Sequence, residues 1–262
     1  MAPVTTRPWR ILAGAGPRDP RPNLALDEAL ARVGGPDRTI RTWRNHRCVI
    51  VGRSQIVQAE VDAAACLELD VPVFRRFTGG GSVYHDSGNL NVTIVLRRDD
   101  PLLVDRPELG RIPGIYRLLL EPLAAAVASF GLPASATERD LLVDGAKVSG
   151  VAAWIGGRVL LVHGTLLVDA DLATLERALD GPGAPGDPQW EHTRSRRSAV
   201  TSLARALGAR DDALMPGAEA AIVASVTDCV GRPGGVTHTE VATARDLMRV
   251  RYGRPGWHQS GT

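Results

Sequence analysis

In PNLALDEALARVG (22–34) apolar residues recur every three or four positions, the spacing of one helical face, with Asn23 placed to cap the helix and Gly34 to end it. TIRTW (39–43) and CVIVG (48–52) read as strands flanking the polar turn RNHR. A short helix is expected from about Asp62, then VPVFRRF and SVYH as strands separated by TGGG. NLNVTIVL alternates: Leu90, Val92 and Ile94 share one side, Asn89, Asn91 and Thr93 the other, which predicts a half-buried strand with a polar face. The spacing predicts an apolar helix over 113–130, broken or bent near Pro122.

DLLVDGAKVSGVAAWIGGRVLLVHGTLLV reads as a three-strand meander with Asp144-Gly145 and Gly156-Gly157 as two-residue turns. DADLATLERALD restarts helix, capped by Asp169 or Asp171, GPGAPGDP (181–188) is a loop, and helical patterns return near 200–207, 216–230 and 238–251. Helices alternating with strands, several of them hairpins, predict a single α/β domain on a mixed, largely antiparallel sheet with flanking helices.

Composition narrows the function. The 262 residues can bury a full core, and a net charge of +2 without a basic block argues against nucleic acid. Cys48, Cys66 and Cys229 are odd in number and far apart, which fits a reducing compartment and offers no paired metal ligands. Neither a signal peptide nor an apolar run long enough for a bilayer is present, so the expectation is a cytoplasmic protein with no membrane partner. Of 31 basic residues only one, Lys147, is a lysine. Composition explains that scarcity but not the position, since a compact ammonium and a planar guanidinium are not interchangeable at a small oxyanion.

Three clusters carry candidate chemistry. If Asp144-Gly145 is the turn, Leu142 pairs with Lys147, Leu141 with Val148 and Asp140 with Ser149, so that Asp140, Leu142, Lys147 and Ser149 share a face. That is either a surface ion pair or a metal-holding carboxylate beside a phosphate-holding ammonium. In RRFTGGGSVYHDSGN (75–89) the glycines let a ligand approach the main chain and form an anion nest, with Arg75 and Arg76 as a phosphate clamp. It is neither a Walker A loop nor GxGxxG before a helix; an ordinary hairpin turn is the alternative. His85 and Asn89 either line the same site or satisfy turn backbone. Finally, a strict Gly156-Gly157 turn pairs Gly150 with His163, which puts Gly164 on the Lys147 face and His163 opposite. A bulge would reverse this, so His163 stays open.

In this order and spacing the clusters resemble the lipoate-protein ligase A family, within the biotin/lipoate protein ligase and octanoyltransferase superfamily. The match runs through NLALDEAL (23–30), TWRNHRCVIVGRSQ (42–55), RRFTGGGSVYHDSGNLN (75–91), ERDLLVDGAKVSGVA (138–152), VHGTLLVDADL (162–172) and TRSRRSAVTSL (193–203). The resemblance implies the catalytic-domain fold of that superfamily and a two-step reaction. ATP, with Mg2+, and lipoate give lipoyl-AMP and pyrophosphate; a lysine of a lipoyl domain of a 2-oxoacid dehydrogenase E2 subunit, or of the glycine-cleavage H protein, then takes the lipoyl group. It implies Lys147 as the catalytic lysine and Asp140 as the metal ligand. Arg76, Thr78, Gly79, Gly80, Gly81, Ser82, Val83 and Tyr84 become the ATP and lipoyl-AMP contacts, with His85, Asn89, Ser149 and Gly164 beside them.

Arg139 replaces the family's usual asparagine before Asp140, and Val151-Ala152 replaces its Ser-Ala. The chain is expected to be one catalytic domain, 1–262, without a C-terminal accessory domain, and a separate small accessory protein is among the implied partners. Two alternatives remain: an ATP-independent octanoyl or lipoyl transferase, which needs a thiolate that residues 131–146 do not provide, and a non-catalytic lipoate- or nucleotide-binding homologue. The GRGRxGR loop of biotin ligases is absent, TGGG standing in its place.

Overall fold

The computed structural model describes residues 7–14, 16–35, 38–181, 195 and 197–261. Its strands are β1 (Trp9–Leu12), β2 (Arg38–Trp43), β3 (Cys48–Val51), β4 (Val73–Arg75), β5 (Val83–His85), β6 (Asn89–Arg97), β7 (Ala134–Ala136), β8 (Asp140–Val143), β9 (Ala146–Ile155), β10 (Val159–Leu167) and β11 (Gly231–Pro233). The helices are α1 (Pro20–Val33), α2 (Val57–Glu60), α3 (Ala63–Glu68), α4 (Pro101–Asp105), α5 (Gly114–Ala128), α6 (Leu172–Ala178), α7 (Leu203–Leu207), α8 (Leu214–Thr227), α9 (His238–Leu247) and α10 (Pro255–Ser260). An eight-stranded sheet runs β11-β1-β2-β6-β10-β9-β8-β7, and a three-stranded sheet runs β4-β3-β5. Among the described strands only the β1–β11, β1–β2 and β3–β4 pairs are parallel. The fold is thus the expected single mixed α/β domain, largely antiparallel.

The period-2 pattern of β6 decides how the large sheet packs. Val92 and Ile94 join Ile40, Leu160, Val162 and Leu141 in an apolar layer against α5 and α8. The opposite side, expected to be half-exposed, is buried as well: Asn89, Asn91 and Thr93 are each at most 1% exposed. Helix α1 and the small sheet cover it; Thr93 Oγ1 donates to Asp27 and Asn89 Nδ2 to the Tyr84 carbonyl, whereas Asn89 Oδ1 and both amide atoms of Asn91 have no hydrogen bond.

Several expectations shift locally. Asp19 caps α1 by accepting from the Arg21 amide, whereas Asn23 lies inside the helix, buried, holding the carbonyls of Pro17 and Arg44. Helix α5 continues through Pro122 without a break, its apolar face held by the core. Asp171, not Asp169, caps α6, and Ser202 caps α7. Apart from Gly181, the loop expected at 181–188 lies outside the described residues.

The meander exists, but with two corrections to its register. Asp144 and Gly145 both have positive φ, 49° and 78°, the left-handed pair that a tight hairpin turn requires. One turn later, Leu142 pairs with Lys147 but Leu141 with Ser149 and Asp140 with Gly150, so Val148 is an extra, bulged residue. The second turn is centred on Gly157-Arg158, because Gly156 bonds Val159, and it pairs Thr165 with Gly150 and His163 with Ala152. The bulge moves Ser149 off the Lys147 face and brings Gly150 onto it. His163 consequently lies on that face and Gly164 opposite, where a side chain would meet Leu119 of α5.

Candidate active site

Lys147 and Asp140 are cross-strand neighbours joined by an ion pair, Nζ to Oδ1 2.7 Å. Gly150 makes room for it: a Cβ there would lie 2.8 Å from Nζ and 2.9 Å from Cε of the lysine. Main-chain bonds fix the lysine further, its N–H donating to Ala199 (2.8 Å) and its carbonyl accepting from Thr201 (2.9 Å). The end of the TRSRRSAVTSL segment is thereby clamped alongside Lys147; Arg194 and Arg196 within it lie outside the described residues.

Two cavities meet at this ammonium. The outer, about 430 Å3, is bounded by Tyr84, Ser149, Arg177, Asp180 and Arg197 among others. The inner, about 130 Å3, runs under the glycine turn past Trp43, His85, Asn91, Tyr116 and Ala152. Ser82, Val83, Lys147, Gly150, Thr165 and Ser195 line both. Of the residues singled out from sequence, Arg76, Gly80, Gly81, His85, Asp140 and Gly164 line the inner cavity only, and Tyr84 and Ser149 the outer only. Thr78, Gly79 and Asn89 line neither; Asn89 is fully buried and donates to the Tyr84 carbonyl at 2.7 Å.

The two arginines do not form a phosphate clamp. Arg75, 1% exposed, spends its guanidinium on the carbonyls of Gly52, Arg53, Gln55, Trp257 and Gln259, tying α10 to the small sheet. Arg76 donates to the carbonyls of Ile50, Gly79 and Gly81 and to Thr78 Oγ1. Burial pushes its guanidinium down to about 10, still cationic at neutral pH. Its role is to shape the turn from within. Gly80 takes φ 88° there, and Gly52 must lack a side chain because a Cβ would lie 2.2 Å from the Gly80 carbonyl. The Ser82 amide, at the end of the nest, donates to Ser195 Oγ at 2.7 Å, and Gln55 and Glu60 hold Ser195 in turn.

Below the turn lies a buried polar chain that the sequence reading did not assemble. Asp27 of α1 receives Arg41 (2.6 Å), Thr93 (2.9 Å) and His163 Nδ1 (3.1 Å), and His163 Nε2 meets Thr78 Oγ1 at 2.8 Å. Burial alone would raise the Asp27 carboxyl, but Arg41 and His163 hold it below its usual value. Burial lowers His163, with Asp27 opposing, so the imidazole is neutral. Because the Asp27 carboxylate can only accept, the proton of the neutral ring sits on Nδ1 facing it, and Nε2 accepts the Thr78 hydroxyl. The helical spacing of NLALDEAL revealed the helix; that its Asp27 carboxylate meets a histidine 136 residues away needed the fold.

The match to the family model of the lipoyl protein ligase A/B catalytic domain extends over residues 19–226. The chain belongs to that family. Lipoate-protein ligase A subunit 1 of Thermoplasma acidophilum is 28% identical over 95% of both chains, and the octanoyltransferase LipM of Symbiobacterium thermophilum is 30% identical over 95% of this chain and 97% of its own. Among solved structures, a bi-partite lipoate protein ligase of T. acidophilum, studied with its E2 lipoyl domain, superposes with TM-score 0.79 at 25% identity, covering 97% of this chain and 96% of that one. A lipoate-protein ligase A bound with ATP superposes with TM-score 0.77 at 25% identity, covering 96% and 98%. The chain spans about half the length of the Mycoplasma and Bacillus relatives that it also matches. No helix among the described residues is long and apolar enough to cross a membrane.

Proposed function

We propose that this lipoyl ligase-family domain activates lipoate with ATP and passes the lipoyl group to a lysine of a lipoyl domain. The observation carrying this reading is the Lys147 ammonium at the junction of a wider outer cavity, with Arg177 and Arg197 on its wall, and a narrower inner one, beneath a glycine turn. The inner cavity takes the acyl tail and the outer one the nucleotide, so the carboxylate meets the α-phosphate beside Lys147. The carboxylate oxygen bonds to phosphorus as the bond to the β-phosphate oxygen breaks, releasing pyrophosphate. An acceptor amine then attacks the acyl carbon and AMP departs. In both steps charge builds on small oxygens, which a fixed ammonium stabilises. The ATP bound by a structural relative supports this reading, as does the lipoyl-domain partner of the Thermoplasma ligase.

Asp140, beside Lys147 where the two cavities meet, offers a carboxylate to Mg2+: its Oδ1 meets Lys147, leaving Oδ2. Among the described residues no three His, Cys, Asp or Glu side chains converge. That fits Mg2+, which commonly takes one or two carboxylates and completes its shell with phosphates and water. The H protein as a second acceptor and a separate accessory protein belong to the same proposal; the bi-partite organisation of the Thermoplasma ligase supports the latter.

Transfer without ATP is the second reading, favoured by the octanoyltransferase relative. Against it stands the placement of sulfur. No cysteine lines either cavity, Cys48 is fully buried with its thiol pushed far up by desolvation, and Cys229 is exposed elsewhere. Incubation with ATP, Mg2+, lipoate and a lipoyl domain is expected to release pyrophosphate and yield lipoyl-AMP, and Lys147→Ala to slow this by about 10²- to 10⁴-fold. Unchanged turnover removes the lysine from the chemistry, and ATP-independent transfer from an acyl carrier protein replaces the ligase reading.

A further inference from the structure

The inner cavity is walled by Leu24, Trp43, Ile50, Val83 and Tyr116, as a hydrocarbon chain requires, yet it contains buried polar groups without partners. Neither amide atom of Asn91 has a hydrogen bond, although the residue is 1% exposed, and His85 Nε2, in a ring 3% exposed, has none either. Orphaned polar atoms at such depth are costly, so a fold that keeps several together implies an occupant that completes them.

The proton on His85 can be located. Arg41 donates to Asn23 Oδ1 (2.5 Å), Asn23 Nδ2 to Asn45 Oδ1 (2.9 Å), and Asn45 Nδ2 faces His85 Nδ1 (3.0 Å). An arginine can only donate, so each amide in turn has one orientation and Nδ1 must accept. The ring is neutral, pulled down to about 3 by burial and then by the Arg76 charge. Its single proton therefore sits on Nε2, an N–H donor on the wall of the cavity. Trp43, edge-on to His85 with centroids 5.9 Å apart, is also the cross-strand partner of Asn91, which puts both polar groups at one end.

Register gives the length. Gly150, against the Lys147 ammonium, pairs with Thr165, and Thr165 pairs with Asn91. Asn91 is thus two strand spacings, roughly 10 Å, from the reacting end, the span of an extended eight-carbon acid.

We propose that His85 and Asn91 form a polar receptor at the far end of the acyl cavity, selecting eight-carbon acids whose tail carries a hydrogen-bond acceptor over all-carbon chains of equal length. A ring sulfur of a dithiolane and a ketone oxygen are acceptors of this kind. The inference rests on the inner cavity being the acyl site.

Calorimetric titration of the intact protein with octanoate, 6-oxooctanoate and lipoate tests it. The 6-oxo acid, which differs from octanoate only by an acceptor, is expected to bind at least about tenfold more tightly. Asn91→Leu, which breaks no hydrogen bond, should bring that ratio to within about threefold while octanoate binds more tightly than to the unaltered protein, a gain that a merely structural role would not give. His85→Phe should narrow the ratio in the same way. Equal affinities for the two acids in the unaltered protein overturn the receptor, as does a ratio that survives both substitutions. If ATP binds and none of the three acids does, the acyl-cavity assignment itself falls.

Discussion

The large sheet has two buried faces, built from the same strands by opposite means. Toward α5 and α8 it presents Ile40, Val92, Ile94, Leu160 and Val162, whose contacts are non-directional. Toward α1 and the glycine turn it presents Arg41, Asn91, Thr93, His163 and Thr165, all buried. There Arg41, Thr93 and His163 converge on Asp27, and each bond has a fixed direction. The apolar face can relax around a lost methyl group, whereas the polar face loses a partner outright and leaves a buried charge behind. The proposed site stands on the face that cannot relax, because a site must be held in one geometry.

Substitutions that strike one face at a time sharpen this contrast. Asp27→Ala strands the Arg41 guanidinium and should cost about 3–5 kcal/mol of unfolding free energy. Adding Arg41→Leu should cost less than the sum of the single changes by about 1–3 kcal/mol, read by urea denaturation; strict additivity would mean the pair is not coupled. On the apolar face Ile94→Ala should cost about 2–5 kcal/mol, and most of that loss should remain whichever apolar neighbour is altered with it.

Acid separates the faces without mutation. The folded His85 titrates near 3 and the unfolded chain near 6.5, so the unfolded state binds more protons in between. Stability should therefore fall as pH drops from about 6.5 toward 3, by a few kcal/mol, with His163 contributing in the same direction. A melting temperature flat from pH 7 to 4 would mean that neither ring is buried neutral. Gly150→Ala should have the smallest effect on stability, under about 1 kcal/mol, because the clash it creates is with the flexible end of Lys147. It should still slow adenylate formation at least about tenfold, by displacing the ammonium.

How much of this was legible in the sequence differs residue by residue. The Lys147 hairpin was legible because Asp144-Gly145 is a strong local turn signal, and the order of the glycine, lysine and histidine clusters carried the family. The bulge at Val148 was not, since nothing in AKVSG marks which residue drops out of register, and that one residue exchanged Ser149 for Gly150 and set His163 on the Lys147 face. Arg75 and Arg76 read as a clamp because a guanidinium beside three glycines suits phosphate. The carbonyls that occupy Arg75 come from Gly52 and α10, remote in the chain, and those that occupy Arg76 from Ile50 and from the glycine turn itself, which folds back onto the guanidinium.

The sequence by itself determined the longer helices and the central strands, the hairpin, the single lysine and the family to which the chain belongs, because propensity, period and turn chemistry act over a few residues; the short edge strands β1, β7 and β11 and the helices α4 and α10 carried no such signal. Tertiary structure alone decided which polar groups meet and which stay unpartnered. Asp27 with His163, Asn45 with His85, and Asn91 facing a cavity depend on the packing of distant segments, and a hydrogen bond is made or lost over a few tenths of an ångström.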